Sequence, residues 1–393
     1  MTTLPTLADA PWLNEPSLQR VFAAIAKAGG EARVAGGAVR NALLGEPVTE
    51  VDLAATLSPE DVTAACVKDG MSVHPTGIEH GTVTVVADHH PYEVTTLRHD
   101  VETDGRRAKV RFTNDWEADA RRRDFTMNAL YCDATGRIFD VTGGYADILK
   151  RRVIFVGSPA QRIEEDYLRI LRFFRFHARY GEGAPDEAGL ASCVAHRSGL
   201  DALSAERIRQ EMFKLMAAKG AIPTLRLMAE RGILSHILPH AEEWGVLERL
   251  PPDPLLRLSV LAQDPLEMPS RWRLSNHEGK RLEAICTLLP PSPALRPLEQ
   301  RIILYHIGPE AWRDLVHVAW ARSGAAMDDA AWAELLNLPD CWEIPSLPVS
   351  GRDLLASGMN PGPEIGVTLK ALEDWWVASG FRPGKQDLLN RLK

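Results

Sequence analysis

Cysteine is scarce in this chain of 393 residues: Cys66, Cys132, Cys193, Cys286 and Cys341 each lie at least 50 positions from the next. That spacing excludes a disulfide framework and the paired-thiol pattern of structural zinc. No apolar run approaches the ~18 residues of a membrane span, and the opening Met1-Thr2-Thr3-Leu4-Pro5 has no basic flank leading into an apolar core. A soluble, cytoplasmic protein without a secretory signal is expected, with no membrane among its partners. Internal repeats and low-complexity tracts are missing too. Net positive charge is also lacking: the formal charge is −8, which argues against a protein that coats nucleic acid through its overall field.

What is present is a globular composition, 45% hydrophobic and 25% charged, long enough for two or three domains at roughly 150 residues each. The charge is uneven. Residues 101–180 hold 16 Lys+Arg against 12 Asp+Glu, while the rest of the chain holds 29 against 41, so a basic island sits in an acidic protein. The first 150 residues read as mixed α and β. Arg33-Val34-Ala35 runs into a Gly-Gly turn and a short helix to Leu44, and Val51 to Ala54 reads as a buried strand. Ser58-Pro59-Glu60-Asp61 has the cap, the proline and the early acids of a helix start. Thr82–Val86 and Tyr92–Leu97 cluster β-branched residues and predict strands, whereas polar Arg98–Asp119, holding Asp104-Gly105, predicts a long loop. Beyond 150 the pattern turns helical, with one helix expected through Gln161–Tyr180 and others over Ala205–Ala218 and Pro223–Arg231. Proline-rich breaks at 250–254, 289–297 and 347–348 divide the remainder. Eight of the ten tryptophans follow residue 240 and are expected to anchor helix packing.

Chemistry concentrates in the first part. Gly36-Gly37 at a strand-to-helix junction lets backbone N–H groups approach an anion, beside a helix N-terminus that favours negative charge. Ten residues after Arg40 comes Glu50-Val51-Asp52. Side chains two apart in a strand share a face, so Glu50 and Asp52 would present two carboxylates together, with Glu93 as a third. Paired acids beside a phosphate cradle suit divalent cations that bridge phosphate oxygens. Further on, Asp166, Arg169, Arg172 and Arg175 recur every three residues, a drifting stripe if all four lie on one helix. A carboxylate can accept from an exocyclic amine while a guanidinium donates to a ring acceptor, the edge pattern that C and A share.

Gly36-Gly37-Ala38-Val39-Arg40 followed by Glu50-Val51-Asp52 resembles the head signature of the class II tRNA nucleotidyltransferase and poly(A) polymerase family. Four further segments resemble its motifs in order: Arg122-Arg123-Asp124-Phe125-Thr126-Met127-Asn128-Ala129, Phe139-Asp140-Val141-Thr142-Gly143-Gly144, Glu165-Asp166-Tyr167-Leu168-Arg169 and Glu206-Arg207-Ile208-Arg209-Gln210-Glu211. Gly351 to Gly366 resembles the tail of such enzymes. The resemblance implies an α+β chain. It would comprise a polymerase-β-like nucleotidyltransferase head over 1–150, and all-helical neck, body and tail over 151–220, 221–340 and 341–393. It implies a CCA-adding enzyme that transfers CMP, CMP and AMP from CTP and ATP to the tRNA 3′ end and releases pyrophosphate.

In that reading Mg²⁺ sits on Glu50 and Asp52, with Glu93 as a further acid at the catalytic centre. Gly36, Gly37, Arg40, Arg122, Arg123, Asp124 and Asn128 serve the nucleotide's phosphates and ribose, and Asp166, Arg169, Arg172 and Arg175 its base. The helical body and tail hold the acceptor arm. Two positions depart from the family pattern: Asn41 and Glu50 each stand where it has aspartate. They keep open a catalytically impaired RNA-binding pseudoenzyme. A poly(A) polymerase, with the same head and neck, is the other alternative. Thr76–Thr84 is closer to the CCA-adding pattern, and a loop over 98–114 would favour complete addition through the final A.

Overall fold

The computed structural model describes residues 3–104, 107–240 and 243–392, and the chain forms two units, 1–239 and 240–393. The first unit runs α1 (Pro16–Lys27), β1 (Ala32–Ala35), α2 (Gly37–Leu44), β2 (Asp52–Ala55), α3 (Pro59–Lys68), β3 (Ser72–Gly77), β4 (Thr82–Ala87), β5 (His90–Thr96), β6 (Arg98–Asp104) and β7 (Arg107–Phe112). It continues through α4 (Trp116–Arg121), β8 (Leu130–Cys132), β9 (Ile138–Asp140), α5 (Gly144–Leu149), α6 (Pro159–Glu165), α7 (Leu168–Tyr180), α8 (Glu187–Ala195), α9 (Ala205–Met216) and α10 (Ala221–Glu230). This is the mixed head followed by helices that the sequence implied.

Seven strands form one sheet in the order β3-β4-β5-β2-β1-β8-β9. Every pairing is antiparallel except β2 with β5, which is parallel and sets Asp52 beside Glu93. Val34, Leu53, Ala55, Val83, Val85 and Val94 are buried in the sheet. α1 turns Leu18, Val21 and Ile25 inward and packs on α3 and β4. α3 begins as its sequence predicts, with Ser58 Oγ accepting from the Asp61 N–H at 3.1 Å. Ring contacts join head to helix: the Phe125 ring lies 4.9 Å from Phe155 and 5.1 Å from Phe176 of α7. Asp140 collects the N–H groups of Thr142, Gly143, Gly144 and Tyr145, fixing the start of α5. A Cβ on Gly144 would stand 2.1 Å from the Thr126 carbonyl, so only glycine permits that approach.

Two expectations are corrected. Arg98–Asp119 is no long loop: β6 and β7 pair antiparallel from Arg98↔Phe112 to Asp104↔Arg107, and α4 follows. Asp104 closes the described end of β6, opposite Arg107 of β7. The single helix expected through Gln161–Tyr180 is broken, because Asp166 has φ −160°, ψ 105° and ends α6. β3, β8 and β9, which lack clustered β-branched residues, were not foreseen.

The second unit is helical among its described residues. Its helices include Pro254–Leu261, Asn276–Thr287, Ala330–Cys341 and Glu364–Ala378, and a long segment Pro297–Ser323 is interrupted at Gly308 (φ 78°) ahead of Pro309. Trp272, Trp312 and Trp376 are at most 2% exposed, as expected of packing anchors. Arg281 ties the Pro254–Leu261 helix cap to the long segment, donating to Asp253 at 2.9 Å and to Asp314 at 2.7 and 2.8 Å.

Candidate active site

β2 and β5 create the first feature of the site. Neighbouring residues of parallel strands project to the same side, so the Asp52↔Glu93 pairing sets two carboxylates together. Glu50 lies in the irregular segment before β2 rather than on the strand, yet it reaches the same cavity. That cavity, of ≈ 580 Å³, is lined by Glu50, Asp52 and Glu93 together with Trp12, Glu15 and His90. Asp52 holds its proton above the usual carboxylate range, through desolvation first and then through the charges of Glu93 and Glu50, with Arg123 opposing them. Like charges that Arg123 offsets only in part are a destabilised arrangement that a bound cation relieves. Among the described residues no three His, Cys, Asp or Glu are drawn together as a complete ion clamp.

The Gly-Gly turn expected to cradle phosphate lies at the end of β1. Gly36 has φ 62° and ψ −96°, and a Cβ there would stand 3.0 Å from the Asn128 carbonyl and 3.2 Å from Arg123 Nη1. Glycine is required at that junction, and the N–H groups of the first turn of α2 have no helical acceptor. Arg40 lies beneath, 7% exposed. Its Nη1 donates to Asn128 Oδ1 and its Nη2 to the Tyr180 hydroxyl at 2.8 Å. Its Nε and Nη2 donate to Asn41 Oδ1 at 3.2 and 2.9 Å. Burial lowers its proton affinity.

A buried network of alternating charge continues from there. Asp124 Oδ1 accepts from Asn128 Nδ2 at 2.9 Å and from the Phe125 N–H at 2.8 Å, and Oδ2 accepts from Arg172 Nε at 2.7 Å. Burial pushes the Asp124 carboxyl upward, but Arg172 and these hydrogen bonds outweigh it and hold the group below the usual range. Arg172 also lies 3.7 Å from Glu211 Oε1, and Arg175 Nε donates to Glu211 Oε2 at 2.5 Å. Asp119, 1% exposed, anchors the basic pair: Arg122 Nε donates to it at 2.8 Å, Arg123 Nη2 at 3.2 Å and the Tyr131 hydroxyl at 2.6 Å. Burial raises Asp119, and Arg123 and Arg122 more than reverse the shift.

Three family models match in succession: "Poly A polymerase head domain" over 32–154, "Probable RNA and SrmB- binding site of polymerase A" over 185–244, and a tRNA nucleotidyltransferase second domain over 255–390. The mitochondrial CCA tRNA nucleotidyltransferase 1 of Mus musculus is 34% identical, across 97% of this chain and 92% of that protein. The chain belongs to the tRNA nucleotidyltransferase and poly(A) polymerase family. The CCA-adding enzyme of Latilactobacillus sakei is 31% identical over 95% of this chain and 94% of its own length. The crystal structure of the Bacillus stearothermophilus CCA-adding enzyme in complex with CTP superposes with a TM-score of 0.75 at 30% identity, covering 93% of this chain and 94% of that one. Enzymes of this family use a divalent metal, which agrees with the uncompensated acids of β2 and β5.

The four residues expected to read the base are arranged differently from the expected stripe. Asp166 is not on the helix of Arg169, Arg172 and Arg175: it lies at the break before α7, where Oδ1 accepts from the Leu168 N–H at 3.1 Å and Oδ2 from Arg207 Nη2 at 2.7 Å. Arg169 donates to Glu165 and, at 2.7 Å, to the Arg162 carbonyl. Asp119, Tyr131, Tyr180, Arg207 and Glu211 were absent from the expected set. The signal for Asp119 was available, since Arg122 and Arg123 follow it by three and four residues. Arg207 and Glu211 lie inside a motif already singled out.

Proposed function

We infer that this chain is a CCA-adding tRNA nucleotidyltransferase, transferring CMP, CMP and AMP in turn from CTP and ATP to the 3′ end of tRNA. Full-length similarity to enzymes so named supports the reaction. The observation that carries the site is the Asp52–Glu93 register, with Glu50 close enough to raise the proton affinity of Asp52. In the proposed reaction the tRNA 3′ hydroxyl attacks the α-phosphorus in line, a new phosphodiester bond forms, and the bond to pyrophosphate breaks. Asp52 and Glu50, with Glu93, would hold Mg²⁺, which when bound would supply positive charge to the phosphate oxygens.

The first-turn amides after Gly36 and the guanidinium of Arg123 receive the triphosphate. Arg40, committed to Asn128, Asn41 and Tyr180, supports the cradle from below. Arg122, Asp124 and Asn128 shape the ribose side. Asp166 and Arg169 select the base by accepting from the exocyclic amine of C or A and donating to its ring acceptor. Asp166 accepts one internal hydrogen bond on each oxygen, which leaves lone pairs for the nucleotide. Arg172 and Arg175 hold α7 in place through Asp124 and Glu211. The helical second unit grips the acceptor arm by shape and phosphate contacts.

We place the enzyme in the cytoplasm, a reducing compartment in keeping with its five free cysteines. Among the described residues no helix is long and apolar enough to cross a membrane. The test is incubation of purified protein with tRNA ending at the discriminator base, labelled CTP and ATP, and Mg²⁺. Three nucleotides ending in A are expected. A run of A would indicate a poly(A) polymerase, and no addition would indicate a pseudoenzyme.

A further inference from the structure

We propose that Asn41 is a positioning residue for Glu50, and that the two departures from the family pattern are coupled through the segment between them. This deepens the metal-site reading above and rests on it. Asn41 lies in the last turn of α2 and grips both residues that follow the helix cap. Its carbonyl accepts from the Glu46 N–H at 2.9 Å, and its side-chain Nδ2 donates to the Pro47 carbonyl at 3.1 Å. Pro47 is three residues ahead of Glu50, in a stretch without helix or strand, so its position is set by bonds of this kind.

The other end of the Asn41 amide is anchored in the interior. Oδ1 accepts twice from Arg40, itself fixed on Asn128 and Tyr180. A line of hydrogen bonds thus runs from a buried arginine through Asn41 to the backbone that carries Glu50.

An aspartate at position 41 would keep the acceptor for Arg40 but has no N–H for Pro47. Two oxygens would then face each other, and the segment would be released or pushed away. Glu50 places its carboxylate about one bond further from the backbone than aspartate would, a displacement large enough to matter where sub-ångström placement decides rate. The amide tether holds the backbone in the position from which the longer acid is used. An aspartate at position 50 would suit a segment without that tether.

The test uses Asn41→Asp, Glu50→Asp and the double variant in the full chain. Mn²⁺ binding to the nucleotide-free protein is read by electron paramagnetic resonance, alongside the CTP KM and thermal unfolding. Asn41→Asp adds a negative charge to the head, which on electrostatics alone would not weaken cation binding. The coupling predicts the opposite: Mn²⁺ affinity falls by about tenfold, with the CTP KM and melting temperature little changed. Asn41→Ser, which loses the Pro47 bond without adding charge, falls similarly. The double variant recovers most of the affinity lost in Asn41→Asp. Unchanged or tighter Mn²⁺ binding in Asn41→Asp, or losses that simply add in the double variant, would overturn the proposal. Asp52→Ala serves as the control on the underlying reading. If it leaves Mn²⁺ affinity intact, the metal site is wrong and this inference falls with it; if it abolishes binding while Asn41→Asp does not weaken it, only the coupling fails.

Discussion

The acids of β2 and β5 and the buried network between the head and α7 hold similar residues in opposite arrangements. Glu50, Asp52 and Glu93 line one cavity with charges of one sign, and desolvation together with the charges of Glu93 and Glu50 raises the proton affinity of Asp52. Asn128, Asp124, Arg172, Glu211 and Arg175 alternate in polarity, and the buried Asp124 stays ionised because each neighbour supplies what it needs. Uncompensated like charge marks a place that waits for a ligand. Compensated opposite charge marks a scaffold. Breaking a buried ion pair by removing one member costs about 3–5 kcal/mol, because the other is left uncompensated. Removing one of several crowded carboxylates removes repulsion instead.

The largest expected effect follows from that contrast. Asp52→Ala should lower nucleotide addition by on the order of 10³-fold, about 4 kcal/mol of barrier, while tRNA binding survives; primer extension and filter binding on one preparation measure both. Residual activity above a few per cent would remove Asp52 from the metal site.

Next comes the scaffold. Asp124→Ala should cost about 3–5 kcal/mol of stability, read by urea unfolding, because Arg172 loses its hydrogen-bonded carboxylate and keeps Glu211 at 3.7 Å. A loss under about 1 kcal/mol would mean that the network is not held together as the hydrogen bonds indicate.

Selection is a smaller and more specific effect. Asp166→Ala should bring UTP and GTP incorporation closer to CTP and ATP, with overall efficiency reduced, because truncating a polar reader removes the penalty for a mismatched edge. Arg179→Ala, exposed on α7, should change selection little. Equal loss for all four nucleotides, with discrimination intact, would make Asp166 a structural cap of α7 alone.

The smallest effect is on pH dependence. A carboxyl whose folded proton affinity is raised binds more protons folded than unfolded, so its contribution to stability declines as pH rises through the folded value. Asp52→Asn should therefore gain stability over the parent near neutral pH, and that gain should vanish below the ordinary aspartate range. A gain that grew on acidification would have the wrong sign.

Much of this contrast was legible in the residues. The Gly-Gly turn, the acids at 50 and 52 and the basic pair at 122 and 123 carry their chemistry in local spacing. The partnership of Asp52 with Glu93 depends on a parallel register across 41 positions, which no local pattern encodes. The break at Asp166 was invisible for a related reason. No glycine or proline marks it between 161 and 180, and the chain turns because Asp166 caps the Leu168 N–H and accepts from Arg207 on α9. β6 and β7 were misread because their residues are polar and mixed in charge, although Asp104-Gly105 is a strong hairpin signal. Where a role rests on a neighbour distant in sequence, as for Glu211 and Tyr180, spacing alone cannot reveal it.

The two arrangements are separated most directly by measuring thermal unfolding and nucleotide addition on the same preparations of Asp52→Asn and Asp124→Asn, both isosteric and both losing one negative charge. Asp52→Asn is expected to be inactive and at least as stable as the parent, and Asp124→Asn to unfold at a clearly lower temperature. An Asp52→Asn protein that melts as early as Asp124→Asn, or that still completes CCA, would contradict that expectation.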